Sequence, residues 1–223
     1  NACDIRRFGM RRRTPVTIGD MALLYAAQLS PTKPELIAAW LPSSPYYDGA
    51  SPAIEPIGAY RFDDPDGEVG IEVHLVRDAD GTLWQVPLTY RAAPLPGARP
   101  AGEMEHSVLG RRYVYDATTD PVFVQQLLDA VHGGRHEADQ FVHVDDAEPR
   151  KIDNSAHAWG TGVADAPVPV VSDVRVSADG TDTVIEAGGT TVVVHHRPVG
   201  GEPTGPALLG EWDGGRGVLA TLR

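Results

Sequence analysis

One stretch of the chain is denser in reactive side chains than the rest. Residues 103–120 read EMEHSVLGRRYVYDATTD, and Glu103, Glu105, His106, Arg111, Arg112, Tyr113, Tyr115 and Asp116 fall within fourteen residues. Carboxylates, guanidinium groups, an imidazole and phenols so close in sequence can hold a polar ligand through charge-assisted hydrogen bonds. Glu105, His106, Arg112, Tyr115 and Asp116 are therefore the candidate binding residues. The competing reading is a β-ribbon and turn with internal salt bridges, tyrosine packing and a helix entry. The composition favours that reading.

Other chemistries find less support. Phosphoryl transfer needs groups that grip phosphates and magnesium and orient the nucleophile, and no G-x-x-x-x-G-K-[ST] is present. His143-Val144-Asp145 imitates a kinase catalytic loop, but Arg150 stands where that loop needs Asn. Gly200-Gly201 and Gly214-Gly215-Arg216-Gly217 open no helix, so turn chemistry explains them better than anion binding. His132 and His136, with Glu137 beside them, have the spacing of a zinc helix, yet Gly133-Gly134 between them should break it. His195 and His196 adjoin on a strand and should point to opposite faces. No G-x-S-x-G elbow exists. Asp63-Asp64 and Asp145-Asp146 read as solvated surface. Trp40 belongs to a helix stripe, and Tyr46 and Tyr47 are the more open candidates for stacking on a sugar ring. The expectation is no catalytic residue, no metal and no cofactor.

Charge narrows the partners. The net charge of −12 repels nucleic-acid backbones. Seventeen of the nineteen basic residues are Arg, leaving only Lys33 and Lys151. Cys3 is the single cysteine, which forbids an intrachain disulfide and fits a reducing cytoplasm. No run of 18 apolar residues appears, so no membrane-spanning helix is expected. Residues 1–20 carry Arg6, Arg7, Arg11, Arg12 and Arg13 and read as a basic leader, or a remnant from outside the native chain.

The elements that must position these groups follow from periodicity. Met21 to Leu29 reads as a buried strand. Thr32 and Glu35 form a capping box for a helix over Lys33 to Leu41, whose stripe is Leu36, Ile37, Trp40 and Leu41. Strands are expected at Ile54–Phe62, Glu68–Arg77 and Thr82–Arg91. In the second, Val69, Ile71, Val73 and Leu75 alternate with Glu72 and His74. In the third, Trp84, Val86, Leu88 and Tyr90 share a face, and Pro87 argues for an edge or a bulge. Residues 92–102 read as a Pro/Gly loop, followed by a short strand at Arg111–Tyr115. Asp120-Pro121 opens a second helix that Gly133-Gly134 stops. Residues 136–166 read as polar and irregular. Beyond Val168 only strands are signalled: 171–177, 181–187, 190–196, 207–211 and 217–222. Short hairpin links favour antiparallel pairing. The expected fold is α+β: a curved antiparallel sheet with two packed helices over 21–135, then a mostly β region over 136–223.

Three segments resemble a known family. ELIAAWLPSSPYYDG (35–49), LWQVPLTY (83–90) and LGRRYVYDATTDPVFVQQ (109–126) resemble, in order and spacing, the N-terminal cap of actinobacterial maltokinases. MALLYAAQLSPTKPELIAAWLP, GEVGIEVHLVRDADGTLWQVPLTYR and MEHSVLGRRYVYD are also similar to small stand-alone proteins with a maltokinase cap-like domain. The resemblance covers about residues 21–133. It implies a cystatin-like cap of sheet and helix, related to the cap of glucosamine kinases. In that family ATP phosphorylates maltose or an amino sugar, and the nucleotide and sugar contacts lie mostly in lobes after the cap. No catalytic residue carries over. The resemblance implies a non-catalytic accessory, regulatory or binding module of maltose, trehalose, glycogen or amino-sugar metabolism. Its partner would be a sugar-metabolising enzyme or a carbohydrate. The alternative is a carbohydrate enzyme whose site the sequence does not reveal.

Overall fold

The computed structural model describes residues 22–25, 28–50, 53–143, 150–164 and 166–223. The strand expected over 21–29 is divided. Its first part is β1 (Ala22–Tyr25), and its last residue, Leu29, opens β2 (Leu29–Ser30) in another sheet. Helix α1 (Lys33–Trp40) begins at the expected capping box. The Glu35 N–H donates to the Thr32 side chain, and Glu35 Oε2 accepts from the Thr32 N–H at 2.8 Å. Those two bonds satisfy donors that a helix start leaves open. Pro42 lies in the 3-10 turn Leu41–Ser43 that follows.

A six-stranded antiparallel sheet comes next. It contains β2 and five further strands: β3 (Ile54–Phe62), β4 (Gly70–Asp78), β5 (Leu83–Arg91), β6 (Pro100–His106) and β7 (Gly110–Asp116). Their order is β2-β6-β7-β5-β4-β3. Two expectations change here. The segment 92–102 is not loop throughout, because β6 begins at Pro100 and pairs with β7. Pro87 is not on an edge strand: β5 lies between β7 and β4. The ladder to β7 starts only at Leu88, so the imino nitrogen interrupts no pair on that side.

Helix α2 (Pro121–Gly133) follows, capped by Asp120 and ended by Gly134 in the left-handed region at φ 63°. The stretch 136–166 is more ordered than its polarity suggests. It holds β8 (Gln140–His143), β9 (Arg150–Ile152) and β10 (Ala156–Gly160). Strand β8 pairs with β1 in parallel and with β9 in antiparallel. Then come β11 (Val174–Asp179), β12 (Asp182–Ala187), β13 (Thr190–Val199), β14 (Ala207–Trp212) and β15 (Gly215–Leu222). With β10 they form a second antiparallel sheet, β10-β14-β15-β13-β12-β11.

Alternation along β4 and β5 sorts two cores. Ile71, Val73 and Leu75 join Tyr60, Phe62, Phe123, Leu127 and Leu128, and also Ala156, Ile185, Val192 and Leu219 of the second sheet. This core is shared by the first sheet, α2 and the C-terminal strands. On the opposite face Val76, Trp84, Val86 and Leu88 pack with Leu36, Ile37, Trp40 and Tyr46 of α1 and the loop after it. Both faces of the first sheet are covered, so its polar residues lie at the margin of a core.

Candidate functional site

The expected alternation of β4 places Glu72 and His74 on the α1 face, and both are buried. Register supplies their neighbours. Arg61 of β3 stands opposite Glu72, and Tyr90 of β5 stands opposite Gly70. Lys33, in the first turn of α1, reaches down from above. Its ammonium bonds the Glu72 carboxylate, and it lies 5.6 Å from the centre of the Tyr90 ring. Arg61 Nη1 is 3.6 Å and His74 Nε2 3.9 Å from the same Glu72 oxygen. His74 Nε2 lies 3.0 Å from the Tyr90 hydroxyl. Lys33, Arg61, Glu72, His74 and Tyr90 thus form one cluster, open to solvent mainly at Lys33, whose side chain is 26% exposed.

Its electrostatics are internally consistent. Burial alone would raise the Glu72 pKa, but His74, Lys33 and Arg61 together overcome it and hold the carboxyl at about 2. Burial lowers His74 to about 4 despite the pull of Glu72. Burial, reinforced by Glu72, raises Tyr90 well above its ordinary value. At neutral pH the set is one carboxylate, two cations, a neutral imidazole and a neutral phenol. It carries one net positive charge, with donors and acceptors beside an aromatic face. Such a set can hold a hydroxylated or anionic small molecule.

The residues singled out from sequence do not converge. Glu105 is exposed on β6. His106 Nδ1 accepts from the Val108 and Leu109 N–H groups at 3.2 and 3.1 Å, and Arg112 Nη2 donates to Leu109 O at 3.0 Å. These two side chains tie the β6–β7 turn. Tyr115 and Asp116 sit at the far end of β7, buried. Tyr115 OH accepts from the Leu95 N–H at 2.8 Å. Asp116 accepts from Arg99 Nη1 at 2.6 Å and from Thr118 Oγ1 at 2.7 Å. Burial outweighs those bonds and raises the Asp116 pKa. Four residues of strand, about 13 Å, separate Arg112 from Asp116.

The remaining candidates also find places. His132 lies in the last turn of α2, while His136 makes an isolated bridge to Trp159. No group of three His, Cys, Asp or Glu poised for a metal occurs among the described residues. Asp145 and Asp146 lie outside the described residues. His195 and His196 do face opposite ways. His196 is buried against Gln85 and Thr183, and His195 meets Asp182 and Thr221. Tyr46 is buried and stacks on His196, and Tyr47 packs against Trp84 at 4.8 Å, so neither is an open platform.

The polar cluster was only half visible from sequence. Alternation paired Glu72 with His74, and Lys33 stood out as one of two lysines. Arg61 and Tyr90 join them only through cross-strand register.

A curled antiparallel sheet with one helix packed on each face, followed by a second β-sheet, defines an α+β protein. Residues 40–120 match the family described as the maltokinase N-terminal cap domain, and the chain carries a domain of that kind there. No curated protein matches the chain. Arg61, Glu72, His74 and Tyr90 lie inside the matched segment, and Lys33 lies just before it.

Proposed function

We propose that this protein is an accessory or binding module of maltokinase-related sugar metabolism rather than a phosphoryl-transfer catalyst, with the Lys33–Arg61–Glu72–His74–Tyr90 cluster as its contact for a sugar. The observation that carries this reading is the coincidence of the cap match with the cluster. Four of the five polar residues sit on three adjacent strands of the matched segment. A sugar hydroxyl can accept from Lys33 and donate to Glu72, while the Tyr90 ring offers an apolar face.

Calorimetric titration with maltose, trehalose and glucosamine tests it. At least one is expected to bind, with affinity reduced on the order of tenfold by Lys33→Met, the equivalent of about 1.4 kcal/mol. Purified protein with ATP and any of these sugars is expected to release no ADP. Sugar-dependent ADP release would overturn the reading, and so would silence of all three sugars in the titration.

The second reading, an enzyme of carbohydrate metabolism, is favoured by one observation. His74 is a neutral imidazole beside a phenol and a carboxylate, which is the composition of an acid–base site. It predicts sugar turnover that Tyr90→Phe abolishes. Asp116→Ala is a poor test of catalysis here, because it would leave Arg99 without its buried partner.

A further inference from the structure

The outward side of the second sheet carries a trio that the cap reading does not use. Asp182 on β12 stands directly opposite His195 on β13. Asp182 Oδ2 lies 3.0 Å from His195 Nδ1, and His195 Nε2 lies 3.1 Å from the Thr221 hydroxyl on β15. The order of atoms matters. A carboxylate on Nδ1 fixes the tautomer that keeps its proton there, so Nε2 is left as an acceptor aimed at a hydroxyl. All three side chains come from neighbouring strands of a six-stranded sheet: Asp182 and His195 are a registered pair, and the β13–β15 ladder shifts register just beyond Val194, where His195 turns toward Thr221. They remain reachable: the His195 and Asp182 side chains are 13% and 26% exposed, and Thr221 is part-exposed. Two residues beyond Thr221, just past the end of β15, is Arg223, largely exposed and 3.7 Å from Asp179.

We propose that Asp182, His195 and Thr221 form an acyl-transfer site whose acceptor is the Thr221 hydroxyl and whose donor is a small acyl ester. Thr221 Oγ1 attacks the ester carbonyl carbon as His195 Nε2 takes the hydroxyl proton. The carbonyl π pair moves to oxygen, and Arg223, two residues along the chain from Thr221, would supply a positive charge for that oxyanion. Collapse re-forms the carbonyl and expels the alkoxide, which leaves with the proton from Nε2. The product is an ester of Thr221 and a free alcohol. His195 and Thr221 touch the reacting atoms, whereas Asp182 acts through His195 and is a positioning residue. This goes beyond the module reading and does not depend on it, since it concerns the other sheet.

The rival is a cross-strand polar clip with no reactivity. The full chain is treated with a fluorophosphonate and, separately, with p-nitrophenyl acetate, and the modified residue is mapped by peptide mass spectrometry. The expected result is adduct on Thr221 with both reagents. His195→Gln should slow it on the order of a hundredfold. Thr221→Ser should retain labelling, and Asp182→Asn should displace the pH profile of the labelling rate. Thermal melts of each variant separate loss of reactivity from loss of fold. No adduct on Thr221 in folded protein, acetyl groups confined to Lys33 and Lys151, or a labelling rate indifferent to His195→Gln would each overturn the proposal.

Discussion

Two buried histidines set how this protein responds to acid. The His196 ring lies flat on Tyr46, with centroids 3.3 Å apart, its Nδ1 2.9 Å from Gln85 O and its Nε2 2.8 Å from Thr183 Oγ1. Burial outweighs the bond to Gln85 and lowers its pKa from 6.5 to about 3. His74 falls from 6.5 to about 4 for the same reason. Below pH 6.5 the unfolded chain therefore takes up protons that the folded one refuses, and stability drops as pH falls toward those values. Each histidine contributes up to about 1.4 kcal/mol per pH unit in that window. Glu72 acts later. Held near 2 against an ordinary 4.5, it stabilises the fold above 4.5 and loses that contribution as pH falls through 2. Urea unfolding is expected to show a declining free energy between about pH 7 and pH 5. His74→Asn should flatten the slope. A flat profile in the wild-type protein would mean that both rings take up protons in the fold as readily as in the unfolded chain.

At the scale of elements, the ends of α2 are more demanding than its middle. Its start is fixed by Asp120, which caps the Val122 N–H at 3.0 Å and pairs with Arg91 through two bonds of 2.7 Å. Its C-terminal carbonyls would be orphans in a buried setting. Ala130 O accepts from Arg135 N, Val131 O from Gly162 N and His132 O from Val163 N, so the segment after β10 closes the helix. That closure requires contact at backbone distance. A Cβ on Gly160 would lie 1.8 Å from Ala130 O and 3.0 Å from Val131 Cα, neither of which can move as a side chain does. Gly160→Ala is expected to destabilise the protein by about 3 kcal/mol, the upper range for overpacking. Gly200→Ala, whose Cβ meets nothing within 4 Å, should be close to neutral and serves as its control. Equal thermal midpoints for the two variants would show that α2 does not bear on Gly160.

At the scale of the whole molecule, the two large sheets behave as one body because their interior is shared. Gln85 is the bolt between them. Its carbonyl accepts from Tyr60 OH at 2.7 Å, and its amide donates to His195 O and Leu219 O at 3.2 and 3.1 Å. Arg197 of β13 reaches back to bond Asp48 and lies 4.5 Å above the Trp84 ring. Separating the sheets would expose Ile71, Val73 and Leu75 on one side and Ile185, Val192 and Val194 on the other. At roughly 1.5–3 kcal/mol for each such side chain, the cost exceeds what a small domain can spare. Native-state hydrogen exchange should therefore give core amides of β4 and β13 the same opening free energy. A gap of more than about 2 kcal/mol between them would indicate two independent units.

How much of this was legible in the chain depends on the range of the interaction. Thr32 with Glu35, Asp120-Pro121, Gly133-Gly134 and the alternation of 69–75 are local signals. They fix helices, strands and turns because the energy that decides them lies within a few residues. The α+β class follows from them in series, whereas the cap resemblance rests on the segments 35–49, 83–90 and 109–126. What local signals could not supply was register. Pro87 reads as an edge residue until β7 is seen to start one position later. The polar run 136–166 reads as irregular until β10 is found paired with β14. Glu105, His106, Arg112, Tyr115 and Asp116 look like one site by sequence distance, yet a strand rises about 3.3 Å per residue and carries them apart. Conversely Lys33, Arg61, Glu72, His74 and Tyr90 span 58 positions, yet three of them meet at the Glu72 carboxylate and Tyr90 joins through His74. The sequence by itself determined which elements form and which face of each is apolar. Only the tertiary structure decided which polar side chains share a space, because that depends on pairings between residues far apart in the chain.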